Sequence, residues 1–190
     1  TKAMALGEQA FGLAMGKQNV LCLNIGSGIG LGMILNGRLY HGNSGFSGEF
    51  GHIQVDPDGE LCYCGKIGCL ETLASGTTMI RNARKEIEAG ATTLITSLVN
   101  NNPEMITSEV ILEAAHRGDQ FAISLLSRIG EHLGRGIAVL IHLFNPELII
   151  IGGELTKAEN YLVDPIQQNL NKYTISKIRR DAQIITSSLG

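Results

Sequence analysis

Apolar residues recur along this chain at two periods, and the switches between them mark out its elements. From the first residues to about Met15 they fall at helical spacing, and Gly16 is the expected left-handed stop. Val20 to Ile25 and Ile29 to Leu35 are short apolar runs of strand type. Asn36-Gly37 follows, a pair suited to two successive positive φ angles, so Arg38 to Tyr40 is expected to pair back antiparallel. Leu70 to Glu88 reads as one or two helices. Residues 89 to 108 are polar and turn-rich, with Gly90, Asn100, Asn101, Asn102 and Pro103, and are expected on the surface.

The second half is more regular. Thr107 or Ser108 can cap a helix over Val110 to His116, and Asp119 a longer one through Phe144. The apolar face of the long helix is Phe121, Leu125, Ile129, Leu133, Ile137 and Leu140. Gly130, Gly134 and Gly136 each cost that helix up to ~1 kcal/mol relative to Ala, which close backbone packing would justify. Leu148 to Ile151 is a buried strand, Gly152-Gly153 a sharp turn, Ala158 to Lys172 a helix and Ile184 to Thr186 a closing strand. Helices and strands alternate after the first hairpin, which makes the class α/β. The opening starts mid-pattern and the close, AQIITSSLG, ends on a strand and turn, so the sequence reads as a piece of a longer protein.

Composition narrows the function. With 190 residues, 44% of them hydrophobic and 17% charged, the chain can bury one sizeable core. A net charge of −3 argues against nucleic-acid binding by this segment, since a duplex demands a basic face. The short cluster Lys177, Arg179 and Arg180 reads as a solvated helix end. No apolar run reaches ~18 residues and no signal peptide opens the chain, so a cytoplasmic protein without a membrane span is expected. In that compartment clustered cysteines favour metal over disulfides.

The richest chemistry lies between Gly48 and Glu71. Cys62, Cys64 and Cys69 follow His52, and three thiols with one imidazole make a full tetrahedral set for zinc. Free buried cysteines on a glycine-rich loop are the plainer alternative. Four protein ligands leave no open position, so such a metal would be structural, and the second ring nitrogen of His52 could still donate to a neighbour or a ligand hydroxyl. Glu49 and Glu71 flank the cluster. They are either solvated carboxylates or acceptors for paired hydroxyls of a sugar. The turn Gly26-Ser27-Gly28-Ile29-Gly30 joins two strands, which excludes the dinucleotide and Walker loops because both open helices. It can present backbone N–H groups to a phosphate or be a plain hairpin. Gly152-Gly153 follows a strand, where open α/β sheets bind ligands. His116, His132 and His142 lie on helical patterns as packing or surface residues.

The stretch LNIGSGIGLGMILNGRLYHGNSGFSGEFGH, followed by CYCGKIGCLETLAS, resembles the ROK family of repressors, open reading frames and sugar kinases. The resemblance runs from Ala3–Glu8 (A-x-A-L-G-E) through NPELIIIGGEL to the closing SSLG. It implies an actin/hexokinase-like (ribonuclease H-like) ATPase fold, of which residues 1–190 would be the carboxy-terminal sugar-binding lobe. It places zinc on His52, Cys62, Cys64 and Cys69, and sugar hydroxyls on Glu49, His52 and Glu71. In kinase members, nucleotide phosphate would face Gly26, Ser27 and Gly28, with adenosine near Gly152 and Gly153. The family's catalytic aspartate would fall immediately before Thr1, so no catalytic residue is expected within this chain and phosphoryl transfer by it alone is not expected. Tyr63 between the first two cysteines, Leu70 after the third and the lack of tryptophan resemble repressor members more than kinases. The expectation is therefore a regulator's sugar or sugar-phosphate sensor, reaching DNA only through a domain outside this chain and forming a homo-oligomer. An ATP- and Mg-dependent glucokinase or N-acetyl-hexosamine kinase is the alternative.

Overall fold

The structure, a computed structural model, describes residues 1–189. Its frame is a five-stranded sheet of β1 (Val20–Ile25), β2 (Ile29–Leu35), β3 (Arg38–Leu39), β4 (Leu148–Gly152) and β5 (Gln183–Thr186), in the order β3-β2-β1-β4-β5. The hairpin half is antiparallel and the β1-β4-β5 half parallel. Asn36 and Gly37 have φ of 53° and 74°, so the Asn-Gly turn forms as its sequence requires.

Strand periodicity decides the layers. Leu21, Leu23 and Ile25 face the main core with Ile149 and Ile151, while Val20, Cys22, Ile34, Leu148 and Ile150 point to the opposite face. That second face is covered by α1 (Lys2–Phe11), which contributes Ala5. The main face carries α2 (Glu71–Ala74), α3 (Gly76–Glu88), α4 (Leu94–Leu98), α5 (Ser108–His116), α6 (Gln120–Phe144) and α7 (Asn160–Tyr173). With both faces covered, β1 and β4 read as nearly continuous apolar runs.

The long helix α6 forms as its capping and periodicity predict. The Asp119 carboxylate accepts from Ala122 N at 2.8 Å, and Asn145 ends the helix in the left-handed region. Its glycines are explained by close approach. A Cβ at Gly130 would stand 2.7 Å from Leu162 O, one at Gly134 2.8 Å from Ile166 O, and one at Gly136 2.9 Å from Phe50 Cζ. The first two admit α7; the third admits the segment that carries the cysteine loop.

Three expectations need correction. The first helix ends at Phe11 rather than Met15, because the buried Glu8 carboxylate accepts from Leu13 N at 2.8 Å and from the Ser187 hydroxyl, curling the chain early. Residues 89–108 are not wholly superficial. They hold α4, and Ile95 and Ile106 are fully buried; three apolar anchors with Val99 are too sparse to show a period. Residues 154–158 form a 3₁₀ turn ending at Glu159 (φ 51°), so the following helix begins at Asn160. The basic cluster Lys177, Arg179 and Arg180 sits on a short helix, α8 (Ser176–Asp181), with both arginines in its last turn, as expected. Among the described residues no helix is long and apolar enough to cross a membrane.

Candidate sugar and metal site

The segment from Gly48 to Leu70 crosses the end of the hairpin and has little regular structure beyond a 3₁₀ turn at Phe50–His52. It is anchored from below by Phe50 and Leu70, both buried against α6. Above them backbone pairing shapes a small knuckle. Cys62 N donates to Lys66 O at 2.7 Å, Gly68 N to Glu60 O at 2.8 Å and Leu70 N to Ile53 O at 2.9 Å. Gly68 sits at φ 69° with Asp56 O 1.5 Å from where a Cβ would be, so only glycine fits this turn. Arg81 of α3 clamps the knuckle through a 2.6 Å ion pair with Glu60 and a bond to Thr72 O.

Within it the ligating atoms of His52, Cys62, Cys64 and Cys69 lie within 4.8 Å of one another. His52 Nδ1 is 3.5 Å from Cys62 Sγ, and Cys64 Sγ is 3.6 Å from Cys69 Sγ. A tetrahedron with zinc–ligand bonds of ordinary length has edges of about 3.6 Å between N and S and about 3.8 Å between two sulfurs. These two spacings match, and with all four donor atoms inside 4.8 Å the residues could hold a metal ion. Burial, then hydrogen bonding to the other thiols, pushes Cys69 up to about 12, while the Lys66 backbone N–H pulls Cys64 down. A divalent ion held by these donors would deprotonate its thiols outright. The fourth cysteine, Cys22, is remote in β1 and is also raised to about 12, by burial and then by Glu8.

Of the three candidate hydroxyl-binding residues, His52 approaches Glu49, and Glu71 rests against Gly51 between them in the chain. With Nδ1 turned to the thiols, His52 Nε2 faces outward, 4.0 Å from Glu49 Oε2 and 2.9 Å from the Tyr63 hydroxyl. Glu71 opens α2, and its Oε2 accepts from Ile29 N at 2.7 Å. Gly28 and Gly51 make room for that carboxylate: a Cβ on either would lie 2.5 and 3.2 Å from Oε2. Gly28 thus seats Glu71, a role its place in a glycine-rich turn did not reveal. Glu49 is exposed and lines a cleft of about 330 Å³ with Thr1, Lys2, Gly30 and Ser47, so the start of α1 faces the same opening. Tyr63 was legible only as a residue between two ligands. Its hydroxyl is held above its ordinary pKa, chiefly by the Glu71 charge.

The glycines considered for nucleotide come together as well. Gly26–Gly28 follows β1 and Gly152-Gly153 ends β4, and the parallel register pairs Asn24 with Gly152. Both turns therefore lie side by side at the carboxyl ends of adjacent strands. The first is fastened to the start of α3, with Gly76 N donating to Gly26 O and the Thr77 hydroxyl to Ser27 O, each at 2.7 Å. His116, His132 and His142 are far from this arrangement in the sequence and lie on α5 and α6, as their helical spacing implied.

Fold and motif together define an α/β protein with a mixed sheet and a His/Cys cluster fit for a metal. Residues 1–190 match the ROK family, and the chain belongs to it. Its relatives divide between two activities at similar identity. A glucokinase of Thermotoga maritima is 35% identical over 187 residues, covering 98% of this chain and 59% of that protein. The DNA-binding transcriptional dual regulator NagC of Escherichia coli is 34% identical over 188 residues, covering 99% of this chain and 45% of that protein. Solved structures divide the same way. A ROK transcriptional regulator described as a homologue of E. coli Mlc superposes with a TM-score of 0.91 at 37% identity, over 98% of this chain and 46% of that one. A Streptomyces griseus ROK glucokinase in complex with glucose and AMPPNP gives 0.91 at 35%, over 100% and 62%. The chain spans about half the length of the curated relatives it matches.

Proposed function

We propose that this chain is the carboxy-terminal, sugar-sensing lobe of a NagC-like ROK regulator, with zinc as a structural ion in the knuckle. What supports this reading is that His52 Nε2 lies 4.0 Å from Glu49 Oε2 while the Glu71 carboxylate rests against Gly51, which stands between those two residues in the chain. Zinc there would be held by His52, Cys62, Cys64 and Cys69 and would supply rigidity rather than a reactive position. The chain's own residues do the recognition. His52 Nε2–H donates to a hydroxyl, while Glu71, fixed by one oxygen on Ile29 N, presents the other as an acceptor. Glu49 adds a second carboxylate from the cleft rim. Donor and acceptors spaced in this way suit the adjacent hydroxyls of a pyranose, each of which both donates and accepts. The sugar then acts on DNA affinity, through a domain outside this chain, only as far as it prefers one conformation over another.

The adjacent turns at Gly26–Gly28 and Gly152-Gly153 favour a second reading, the corresponding lobe of an ATP-dependent sugar kinase. In it those turns receive nucleotide, and the start of α1 carries the preceding base toward the cleft lined by Glu49. One experiment on the intact protein separates the readings. Glucose, N-acetylglucosamine and their 6-phosphates are titrated calorimetrically, and the free sugars are then incubated with Mg-ATP. The regulator binds one of them saturably and forms no sugar phosphate. Turnover to a sugar phosphate establishes the kinase, and no binding of either sugar or of its 6-phosphate removes both.

A further inference from the structure

The sugar reading leaves one contact unexplained: the Tyr63 hydroxyl already sits on the His52 nitrogen that the ligand would use, 2.9 Å away. The two rings meet edge to face, 5.1 Å apart and 85° inclined. If Nδ1 is committed to the metal cluster, Nε2 carries the proton and the Tyr63 oxygen is its acceptor. One N–H cannot serve a tyrosine oxygen and a sugar hydroxyl equally at once. Tyr63 nevertheless is 84% exposed, so little beyond the His52 ring holds it in place and it can swing outward at modest cost. It also lines a cavity of about 180 Å³ together with Ser27, Glu71 and Thr77, which puts it between the His52 edge and the Gly26–Gly28 turn.

We infer that Tyr63 is an internal competitor for the sugar at His52, a mobile stand-in hydroxyl that sets the concentration at which the site fills. This rests on the sugar reading above and adds to it a residue that tunes specificity and threshold. An apparent affinity falls by the fraction of molecules in which the site is open, so a weak, exposed hydrogen bond lowers affinity modestly and leaves the site usable. A ligand without a hydroxyl placed to take over the Nε2–H cannot displace Tyr63, and the contact therefore also selects among sugars.

Tyr63→Phe keeps the ring and deletes the competing oxygen. In the intact, zinc-loaded protein it should bind N-acetylglucosamine or glucose about two- to tenfold more tightly, the value of one ordinary hydrogen bond. Zinc content should stay unchanged. With ring-labelled tyrosine, the resonance that vanishes in the variant should shift in the wild type when sugar is added. Equal affinity in the two proteins overturns the competition, and weaker binding by the variant shows instead that Tyr63 donates to the sugar. If neither protein binds sugar, the underlying site reading fails, a result distinct from binding with unchanged affinity.

Discussion

Two regions of this molecule are built on opposite physical terms. The sheet with α6 and α7 is held by apolar burial: β4 is buried throughout, and α6 alone buries Leu125, Leu126, Ile129, Leu133, Ile137 and Ile141. The knuckle from Gly48 to Leu70 buries Phe50, Cys62, Cys69 and Leu70, and leaves Leu61, Tyr63 and Ile67 in solvent. Its shape comes from backbone pairing, two clamps from Arg81 and four converging metal-type donors. The contrast teaches where stability and function are decoupled. The scaffold can tolerate loss of a knuckle contact, whereas the recognition groups depend on the knuckle's exact shape.

The largest expected effect falls on the knuckle. Cys64→Ser should abolish stoichiometric zinc and with it ordering that is worth on the order of 10 kcal/mol in isolated zinc-finger peptides. Limited proteolysis should then cut between Gly59 and Gly68 while the melting of the α6 scaffold barely moves; full retention of zinc would remove Cys64 from the ligand set. Asp119→Ala tests the other side. This carboxylate caps α6 and also accepts from Leu94 N at 2.7 Å and from the Thr93 hydroxyl, tying α4 to the core. Losing a cap and two charge-assisted bonds should cost about 2–4 kcal/mol in denaturant unfolding, with zinc stoichiometry intact. A cost below that of a simple surface change would break the assignment.

Gly134→Ala sharpens the point further. Helix propensity alone favours Ala by up to ~1 kcal/mol, yet the new Cβ would meet Asn169 Cβ at 2.7 Å and Ile166 O at 2.8 Å. Overpacking should win, with a net destabilisation of about 1–3 kcal/mol, and a stabilised variant would show that α7 can move away. The smallest effect concerns Glu147, whose pKa is depressed by N–H donors from Asn19 and Gln18. Its contribution is fully present above the unfolded carboxylate value of about 4.3 and is lost as pH falls through the lower folded value. Glu147→Gln should therefore flatten the acid limb of the stability profile slightly, and an unchanged limb would argue against the contact.

The same contrast explains what the sequence made legible. Strands and α6 declare themselves because burial repeats at a fixed period, and caps such as Asp119 stand one residue before it. The cysteine cluster is legible because metal chemistry restricts residue type and spacing. Contacts that depend on tertiary closure leave no such trace. Glu8 reaches Ser187 across 179 residues, and Ile95 and Ile106 are isolated apolar residues in a polar stretch. Gly28 reads as part of a phosphate-binding turn or of a plain hairpin, and nothing in the sequence shows Glu71 resting where its side chain would be. Tyr63 on His52 could be found only once the knuckle was folded.

The central claim is that the four donors and the three polar groups form one unit, so that removing the metal disables sugar recognition without unfolding the scaffold. Calorimetric titration of N-acetylglucosamine and glucose into the intact protein, before and after chelation, tests it most directly when followed by zinc restoration. The account predicts binding that disappears with the metal and returns with it, at nearly constant far-ultraviolet circular dichroism. Sugar affinity that survives in metal-free, folded protein would contradict it.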